Sequence, residues 1–338
     1  MSKGVISRGI PAPLIKEGDN IMNIVVESVL NETNDELNDM DIIGVTESAV
    51  ARAFGQYVTT DDIAKDIEEK FGKNATIAVI APIYSRNRFA PILKGVARAA
   101  KKLIFFMPDF DEVGNPRGVN PFTGVNIEEY YKEICKKENC ECDINGDWMN
   151  HTYPVLDCRL HQKQTPKPTE QVYYHIDEVC SYKSPDWGLL GCNKATEDKI
   201  KLFPSVAVAS KFCRIIKKSI KKKTGKNVIV CVYGDGCFRD PVGGIWEFAD
   251  PVTMPAYTDW ELMESTHNEI KLKAFIDEGK TQEEIDRIIS EKKNLVGSMS
   301  AQGTTPRVYR DLIASLMDLT SGSGDRGTPI VLVQNYFR

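Results

Sequence analysis

A short apolar run that ends at an acidic residue between two glycines constrains the fold more than any other segment. Residues 228–233, Val-Ile-Val-Cys-Val-Tyr, are rich in β-branched side chains and too few for a helix, which predicts a buried strand. Gly234 and Gly236 flank Asp235, and glycines permit a sharp turn and the close approach of a ligand. A carboxylate at the end of a buried strand suits a hard metal ion or a metal-bound phosphate. A tight turn whose Asp caps the next segment explains the same residues equally well.

Charge and apolar patterning narrow the class of protein. The chain has 338 residues, with 43 Lys and Arg against 48 Asp and Glu, and a net charge of −5. This slight acidity argues against a general nucleic-acid binder, which normally shows a basic face. No apolar run approaches the roughly 20 residues needed to cross a bilayer, and residues 1–10 lack the apolar core of a secretion signal. We therefore expect a cytoplasmic protein that binds neither nucleic acid nor membrane.

The nine cysteines indicate reduced thiols, because their number is odd and no secretion signal is apparent. Three of them, Cys135, Cys140 and Cys142, lie close together in the sequence. A structural zinc site normally needs two Cys-x-x-Cys or Cys/His pairs, and this spacing does not supply them. We therefore do not predict a zinc site.

The apolar pattern predicts alternating strands and helices on both sides of a central region that lacks periodicity. The predicted strands are 41–46, 75–83, 103–107, 228–233 and 329–333. The predicted helices are 19–30, 61–71, 89–102, 206–223, a helical stretch at 260–295 that is split near residues 279–281, and 307–319. Residues 109–184 are rich in Pro, Asn, Asp, Tyr and Cys, which predicts an inserted, loop-rich subdomain. The predicted class is α+β with mixed α/β layers: an N-terminal α/β part at 1–108, the insertion, and a C-terminal α/β part at 185–338.

Two segments near the N-terminus are candidate parts of a binding site. Residues 13–20 form a proline-stiffened entry into a helix, for which a simple helix cap is the plainer interpretation. Residues 45–55 run from a strand into small and hydroxylated residues, with Arg52 one turn into the following helix. Backbone N–H groups at a helix start favour an anion, although ordinary strand-to-helix packing explains this segment equally well.

Two later segments carry further polar groups suited to a phosphate or a metal. Residues 191–198 place Asn193, Lys194 and Thr196 within one turn, where the oxygens suit Mg²⁺ or Mn²⁺ and the lysine suits a phosphate. Residues 320–329 form a Gly/Ser loop whose main chain can cradle phosphates. The loop lacks the Gly-Lys-Ser/Thr ending of a Walker A motif, and taken alone it is more simply a flexible connector.

Taken together and in order, these segments resemble the coenzyme F420-0:γ-glutamyl ligase family. Residues 13–20 match the family's Pro-Leu-Ile-x-x-Gly-Asp-Asp/Asn opening, and 45–55 match its Val-Thr-Ser-Lys-x-x-Ser-Lys-Ala-x-Gly segment in part. Asp235 and Arg239 keep the spacing of the family's strand-end Asp-Ser/Thr-x-Gly-Arg-Pro motif. A helix, a Gly-containing loop and an apolar strand end the family's chains, as they do at 307–333. The resemblance covers both ends and the Asp235 region but not the insertion.

The resemblance implies a ligase-like α+β fold and a GTP-dependent amide ligase that uses Mg²⁺ or Mn²⁺. The acceptor carboxylate, for example that of coenzyme F420-0, attacks the γ-phosphate to give an acyl phosphate, and the amine of L-glutamate then displaces phosphate. Such chemistry depends mainly on neutralising the repulsion between a carboxylate and a polyphosphate. The resemblance also implies a homodimer.

Carried onto this sequence, the resemblance implies three sets of site residues. The metal set is Asp235, Asn193, Gly236 and Asp240. The catalytic cations are Arg239 and Lys194. The nucleotide set is Pro13, Leu14, Ile15, Glu47, Ser48, Arg52, Thr196, Ser321, Gly322, Ser323, Gly324 and Gly327.

Three departures from the family pattern indicate a divergent branch and keep other functions open. Asn193 stands where the family has a metal-binding Asp, Glu47 and Ser48 replace a Ser-Lys pair, and Gly236 replaces a hydroxyl residue. Polyglutamylation of folate or another pterin-like acceptor is an alternative with the same chemistry. A non-catalytic nucleotide or metal sensor is a second alternative, and a third makes the Cys-rich insertion a redox or protein-docking module.

Overall fold

The structure is a computed structural model, and it describes most of the chain. The described residues are 4–34, 36–85, 88–112, 114–119, 124–146, 153–159, 171–182, 187–204, 206–234, 238–239, 246–247, 256–259, 262, 277–292, 309–321 and 327–337. Within these ranges, no helix is long and apolar enough to cross a membrane.

The described chain contains both helices and strands, and the predicted α+β class is confirmed. The strands are β1 (Ile6–Ile10), β2 (Ile42–Thr46), β3 (Tyr57–Thr59), β4 (Thr76–Ile80), β5 (Lys102–Phe106), β6 (Glu141–Ile144), β7 (Val155–Asp157), β8 (Tyr173–His175), β9 (Trp187–Thr196), β10 (Lys199–Pro204), β11 (Ile229–Tyr233), β12 (Phe238–Arg239), β13 (Trp246–Glu247), β14 (Ala256–Tyr257) and β15 (Ile330–Gln334). The helices are α1 (Ile21–Thr33), α2 (Glu47–Ala53), α3 (Thr60–Phe71), α4 (Phe89–Ala99), α5 (Ile127–Lys137), α6 (Val206–Thr224), α7 (Gln282–Lys292) and α8 (Tyr309–Ser321).

The first sheet has the strand order β1-β15-β2-β11-β14, and its centre is buried on both faces. β2 and β11 run parallel, whereas the other neighbours pair antiparallel. Alternate residues of β2, β11 and β15 enter two different core clusters. One set is Ile43, Val45, Val230, Val232, Ile330 and Leu332, and the other is Ile42, Ile229, Cys231, Tyr233, Val331 and Val333. Burial of both faces explains why these strands are continuously apolar rather than alternating.

Helices cover both faces of this first sheet. α1 and α6 pack on the face of the first set, and α8 packs on the other through Ile313 and Met317. The approach of α8 is close, because a Cβ atom at Gly44 would lie 2.1 Å from Met317 Sδ. Glycine at the centre of β2 therefore leaves room for the helix.

The second sheet has the strand order β6-β5-β4-β7-β8, and all of its strands are parallel. Counted from β4, this is the order 3-2-1-4-5 that doubly wound α/β sheets adopt. The sheet takes β4 and β5 from before residue 108 and the other strands from the region predicted to be loop-rich. Strands of three or four residues are too short to show a clear periodicity, so the sequence pattern missed them. The boundaries at residues 108 and 184 stay a prediction.

The chain enters the second sheet from α3 and comes back to α3 after β8. The backbone N–H of Cys180 donates a hydrogen bond of 2.8 Å to Asp66 Oδ2, and Asp66 is a buried residue of α3. Lys70 pairs with the other carboxylate oxygen at 2.6 Å, so the charge of this buried group is balanced. A small third sheet, β3-β10-β9, packs its strand β10 against α2.

Replacement of Gly95 by Ala is expected to destabilise the protein, although alanine is the better helix former. Gly95 lies on α4 where that helix meets α3, and a Cβ atom there would lie 2.6 Å from Ile63 Cβ and 2.8 Å from the Thr60 carbonyl oxygen. The helix-propensity gain is at most about 1 kcal/mol. Overpacking costs about 1–3 kcal/mol, and because a backbone atom is involved we expect a net loss of about 1–2 kcal/mol.

Urea denaturation measures this loss directly. Gly118→Ala is the control, because a Cβ atom at Gly118 meets nothing within 4 Å. A Gly95→Ala variant as stable as the unmodified protein would show that α3 and α4 separate without cost.

Candidate functional site

Three chain segments meet at one edge of the first sheet, where β2 and β11 end side by side. The parallel register places Thr46 opposite Tyr233, so the carboxyl ends of both strands reach the same edge. β15 runs the other way, and the residues before it therefore lie at this edge as well. The backbone N–H of Thr46 donates to the carbonyl of Pro329 at 3.0 Å.

The opening segment of the chain closes on the same edge through two backbone hydrogen bonds. The N–H of Ala12 donates to the carbonyl of Gly327 at 3.0 Å, and the N–H of Gly18 donates to the carbonyl of Ala53 at 2.9 Å. The segments 13–20, 45–55 and 327–329 are thus neighbours, and the strand that leads to Asp235 ends among them. We call this place the β2–β11 edge.

A buried carboxyl group, that of Glu47, lies at the centre of the β2–β11 edge. Glu47 begins α2 directly after β2, and it is only 5% exposed. The Thr46 hydroxyl donates to Glu47 Oε2 at 3.1 Å. Burial raises the pKa of Glu47 above its ordinary value, and the charge of Arg88 is the largest influence that opposes this rise. Thr46 and Lys201 oppose it as well.

Three cationic side chains act on this carboxyl group and on its surroundings. Lys201 of β10 donates a hydrogen bond to Ser48 Oγ in the first turn of α2. Burial lowers the pKa of Lys201, the charge of Glu47 raises it, and the charges of Arg52 and Arg88 lower it further. Arg88 is 6% exposed and immediately precedes α4. It follows β4 in the chain, so the second sheet supplies this charge to the edge. An edge with this charge set suits an anion with several negative charges.

The hydroxyl group of Tyr233 is a further polar group at this edge. It is buried and has no hydrogen-bond partner among the described residues. Ser321, at the end of α8, lies close enough to act on it but donates its own hydrogen to the Asp318 carbonyl at 3.3 Å. Burial raises the pKa of Tyr233, so the hydroxyl stays protonated.

Several predicted site residues are brought together here, and two of the important cations were not predicted. Glu47, Ser48 and Arg52 share the edge with Lys201 and Arg88. The sequence analysis missed Lys201 because a Lys-Ile-Lys-Leu alternation is typical of a strand with one solvent-facing side. It missed Arg88 because nothing local to that residue indicates which distant segment it contacts.

Other predicted residues lie elsewhere or are described only by their main chain. Lys194 pairs with Glu197 and lines a groove beside α4 and α5. Thr196 is exposed at the end of β9, and Asn193 lies opposite Lys201 in the register of β9 and β10. In the opening segment, Pro13 and Leu14 are exposed and Ile15 is buried, whereas Arg239 belongs to β12. The roles predicted for these residues stay predictions.

The predicted metal set is not tested by the described part of the chain. Asp235, Gly236 and Asp240 lie outside the described residues, as do Gly322, Ser323 and Gly324 of the predicted nucleotide set. Among the residues that the structure does describe, no group of three or more His, Cys, Asp or Glu could hold a metal ion. Carboxylate and amide oxygens are nevertheless the ligands that Mg²⁺ and Mn²⁺ prefer.

The fold and the edge define an α+β protein with a cluster of cationic side chains around a buried carboxyl group at its strand ends. The profile of the F420-0:Gamma-glutamyl ligase family matches residues 9–335, and the chain belongs to this family. A 70-residue segment is 36% identical to the Coenzyme F420:L-glutamate ligase of Methanothermobacter thermautotrophicus. That segment covers 19% of this chain and 27% of the relative.

Replacement of Glu47 by Gln is expected to stabilise the protein at neutral pH. The folded-state pKa of Glu47 lies above its ordinary value of 4.5, so the folded state binds the proton more tightly than the unfolded state. Stability is then lost as pH rises from 4.5 through the folded-state pKa, and a neutral Gln does not incur this loss.

Urea denaturation across this pH range tests the prediction. The advantage of Glu47→Gln should be present at about pH 7.5 and should vanish below the ordinary pKa. Glu284→Gln is the control of opposite sign, because a hydrogen bond from the Thr281 backbone lowers the pKa of that exposed carboxyl group. A Glu47→Gln variant less stable than the unmodified protein at pH 7.5 would show that the cations outweigh burial.

Proposed function

We propose that the protein is a ligase that joins L-glutamate to a carboxylate-bearing acceptor, with coenzyme F420-0 as the first acceptor to test. The observation that carries the proposal is the family match over residues 9–335. The cationic β2–β11 edge supports it, because this edge lies among three of the segments on which the family resemblance depends.

The reaction would proceed in two steps with GTP as the energy source. A carboxylate oxygen of the acceptor attacks the γ-phosphorus, the bond to the β-phosphate oxygen breaks, and GDP leaves. The amine of glutamate then attacks the carbonyl carbon of the acyl phosphate, its bond to the phosphate oxygen breaks, and phosphate leaves. The amine nitrogen gives up a proton, and the product is an amide.

The main physical obstacle is the repulsion between the acceptor carboxylate and the triphosphate. Two unit charges 4 Å apart interact with about 4 kcal/mol at the effective dielectric of a protein surface. Arg52, Arg88 and Lys201 would offset this repulsion from fixed positions. Glu47 faces the charges of Arg88 and Lys201 when no anion is bound, and its raised pKa eases its protonation when the triphosphate arrives.

A divalent metal would supply additional charge neutralisation on the phosphates. Asp235, Asn193, Gly236 and Asp240 are the residues proposed to hold it, because they include the carboxylate and amide oxygens that suit Mg²⁺ or Mn²⁺. Arg239 and Lys194 remain proposed cationic contacts of the reacting groups, and a homodimer remains the proposed assembly.

A reconstitution assay tests the proposed activity. The purified protein is incubated with L-glutamate, Mn²⁺ or Mg²⁺, GTP or ATP, and either coenzyme F420-0 or a reduced folate. We expect phosphate release from GTP to equal the amount of F420-0 extended by one glutamyl residue, as measured by mass spectrometry. Extension of the folate alone would select the pterin-like alternative. GTP binding with no turnover of any acceptor would contradict the ligase proposal and favour a nucleotide sensor.

Replacement of Lys201 by Gln is expected to lower kcat/KM for the nucleotide by about 100-fold, because a fixed donor next to the developing charge is lost. Phosphate release under steady-state conditions measures the effect. Lys199→Gln is the matched control on the same strand, because the Lys199 ammonium lies over the Tyr57 ring at 4.0 Å. Equal losses in both variants would show that general charge, rather than the position of Lys201, matters.

Replacement of Asp235 by Asn is expected to lower the rate of ligation by at least about 100-fold at saturating Mn²⁺, because the proposed metal ligand loses its negative charge. The same assay with a series of Mn²⁺ concentrations measures the change. Asp259→Asn is the control, because Asp259 pairs with Lys217 of α6. Near-normal ligation by Asp235→Asn would exclude Asp235 as the metal ligand.

A further inference from the structure

A cavity of about 710 Å³ lies at the end of the first sheet that is opposite the β2–β11 edge. Its walls are the last turn of α1, the loop that leads from α1 to β2, the strand β1 and the end of β15. In the register of β1 and β15, Ile6 lies opposite Gln334. Arg8, two residues further along β1, lies opposite Leu332, which belongs to the core on the face that α1 covers. Arg8 and Gln334 therefore share that face, and the volume is typical of a small-molecule site.

Arg8 lines this cavity without a carboxylate partner. Its Nη2 donates to Gln334 Oε1 at 3.3 Å, and the guanidinium group makes no other hydrogen bond within the described part of the chain. The Nε–H is buried and has no partner there, and none of the ion pairs between described residues includes Arg8. A guanidinium group presents its N–H donors in a planar fork that matches a carboxylate. Arg8 therefore has unused donors for an anionic group in the cavity.

A buried carboxylate behind the same wall fixes the orientation of Gln334. Asp41 is 1% exposed, and its Oδ2 accepts hydrogen bonds of 2.8 Å from Gln334 Nε2 and from the backbone N–H of Asn38. The amide nitrogen of Gln334 faces Asp41, so its oxygen faces Arg8. Asp41 Oδ1 has no partner among the described residues. Buried polar atoms without partners are rare, and this wall combines an unused donor with an unused acceptor.

The wall formed by the end of α1 is negative. Glu32 lies in the last turn of α1 and Glu36 lies in the loop that follows, and both line the cavity. Neither takes part in an ion pair with any residue that the structure describes. α1 has no basic residue in its last turn, although the partial negative charge of a helix C-terminus favours one. An ammonium group from outside the chain would complement this wall.

We propose that the cavity binds a free α-amino acid with an uncharged polar side chain. The carboxylate of this ligand accepts hydrogen bonds from the Arg8 guanidinium group, and its ammonium group lies against Glu32 and Glu36. The ligand side chain faces amides, which form hydrogen bonds but have no charge. These amides belong to Asn34, Asn38, Gln334 and Asn335.

The charges of the cavity disfavour other small ligands. Glu32 and Glu36 would repel a dicarboxylate or a nucleotide, and an amine without a carboxylate would leave Arg8 unpaired. The cavity is also separate from the proposed ligase site, because β2 lies between them and spans at least about 13 Å. The proposal therefore does not depend on the ligase reaction.

Isothermal titration calorimetry of the full chain with L-glutamine tests the proposal, in the absence of nucleotide and acceptor. Two matched analogues separate the charges: glutaramate lacks the ammonium group, and 4-aminobutanamide lacks the carboxylate. We expect L-glutamine to bind and each analogue to bind at least about 10-fold more weakly, because each loses a charge-assisted interaction. L-Glutamate should displace bound L-glutamine only at a several-fold higher concentration than L-asparagine does, because its second carboxylate adds repulsion from Glu32 and Glu36.

Two variants locate the binding site. Arg8→Gln should weaken L-glutamine at least about 10-fold, with Arg214→Gln on an exposed position of α6 as its control. Glu36→Gln should weaken it several-fold, with Glu68→Gln on an exposed position of α3 as its control. Glu36 is exposed and lies in a loop, so this second variant retains the fold even if Arg8→Gln does not.

Three outcomes would overturn the proposal. The first is no binding of L-glutamine at millimolar concentration, and the second is equal affinity for L-glutamine and either analogue. The third is binding that Lys201→Gln abolishes and Glu36→Gln leaves unchanged, which would place the amino acid at the β2–β11 edge. A protein without ligase activity that still binds L-glutamine through Arg8 and Glu36 would refute the proposed function alone.

Discussion

The parallel pairing of β2 with β11 is the constraint on which the rest of the structure depends. Both strands are buried on both faces, and their register brings Thr46 and Tyr233 to the same edge. A slip of one residue would exchange the two apolar sets between α8 and the pair α1 and α6, and it would move the start of α2 away from the end of β11. The position of the cationic edge is therefore fixed by the packing of apolar side chains well away from it.

The β2–β11 edge buries charged side chains as well as apolar ones. A buried carboxyl group together with the guanidinium group of Arg88 and the ammonium group of Lys201 is costly to keep away from water unless the charges balance. Glu47 balances them in part, and the opposite pKa shifts of Glu47 and Lys201 show that burial still outweighs their attraction. A multiply charged anion would neutralise these cations more fully than the single carboxylate of Glu47 does, so its binding would be favourable. This is the physical basis of the nucleotide proposal.

The sequence predicted most of the long elements and much of the edge, but not its full set of charges. The buried strands β2, β11 and β15 and the helices α1, α4 and α6 were all recognisable, because each has a strong local pattern. The segments around Glu47 and Gly327 were recognisable through a family resemblance. Lys201 and Arg88 could not be found in this way, because their importance arises from β10 packing on α2 and from the second sheet reaching the first. The short strands β7 and β8 were missed because three residues carry almost no periodic signal.

The hydrogen bond between Cys180 and Asp66 has an architectural consequence. Because the chain departs from α3 and is tied back to the same helix, the unit built on the five-stranded parallel sheet is an excursion with neighbouring endpoints. Such a unit can be gained, lost or exchanged during evolution without changing the strand order of the first sheet. Arg88 belongs to this unit and acts on Glu47. Loss of the unit would therefore also remove one positive charge from the β2–β11 edge.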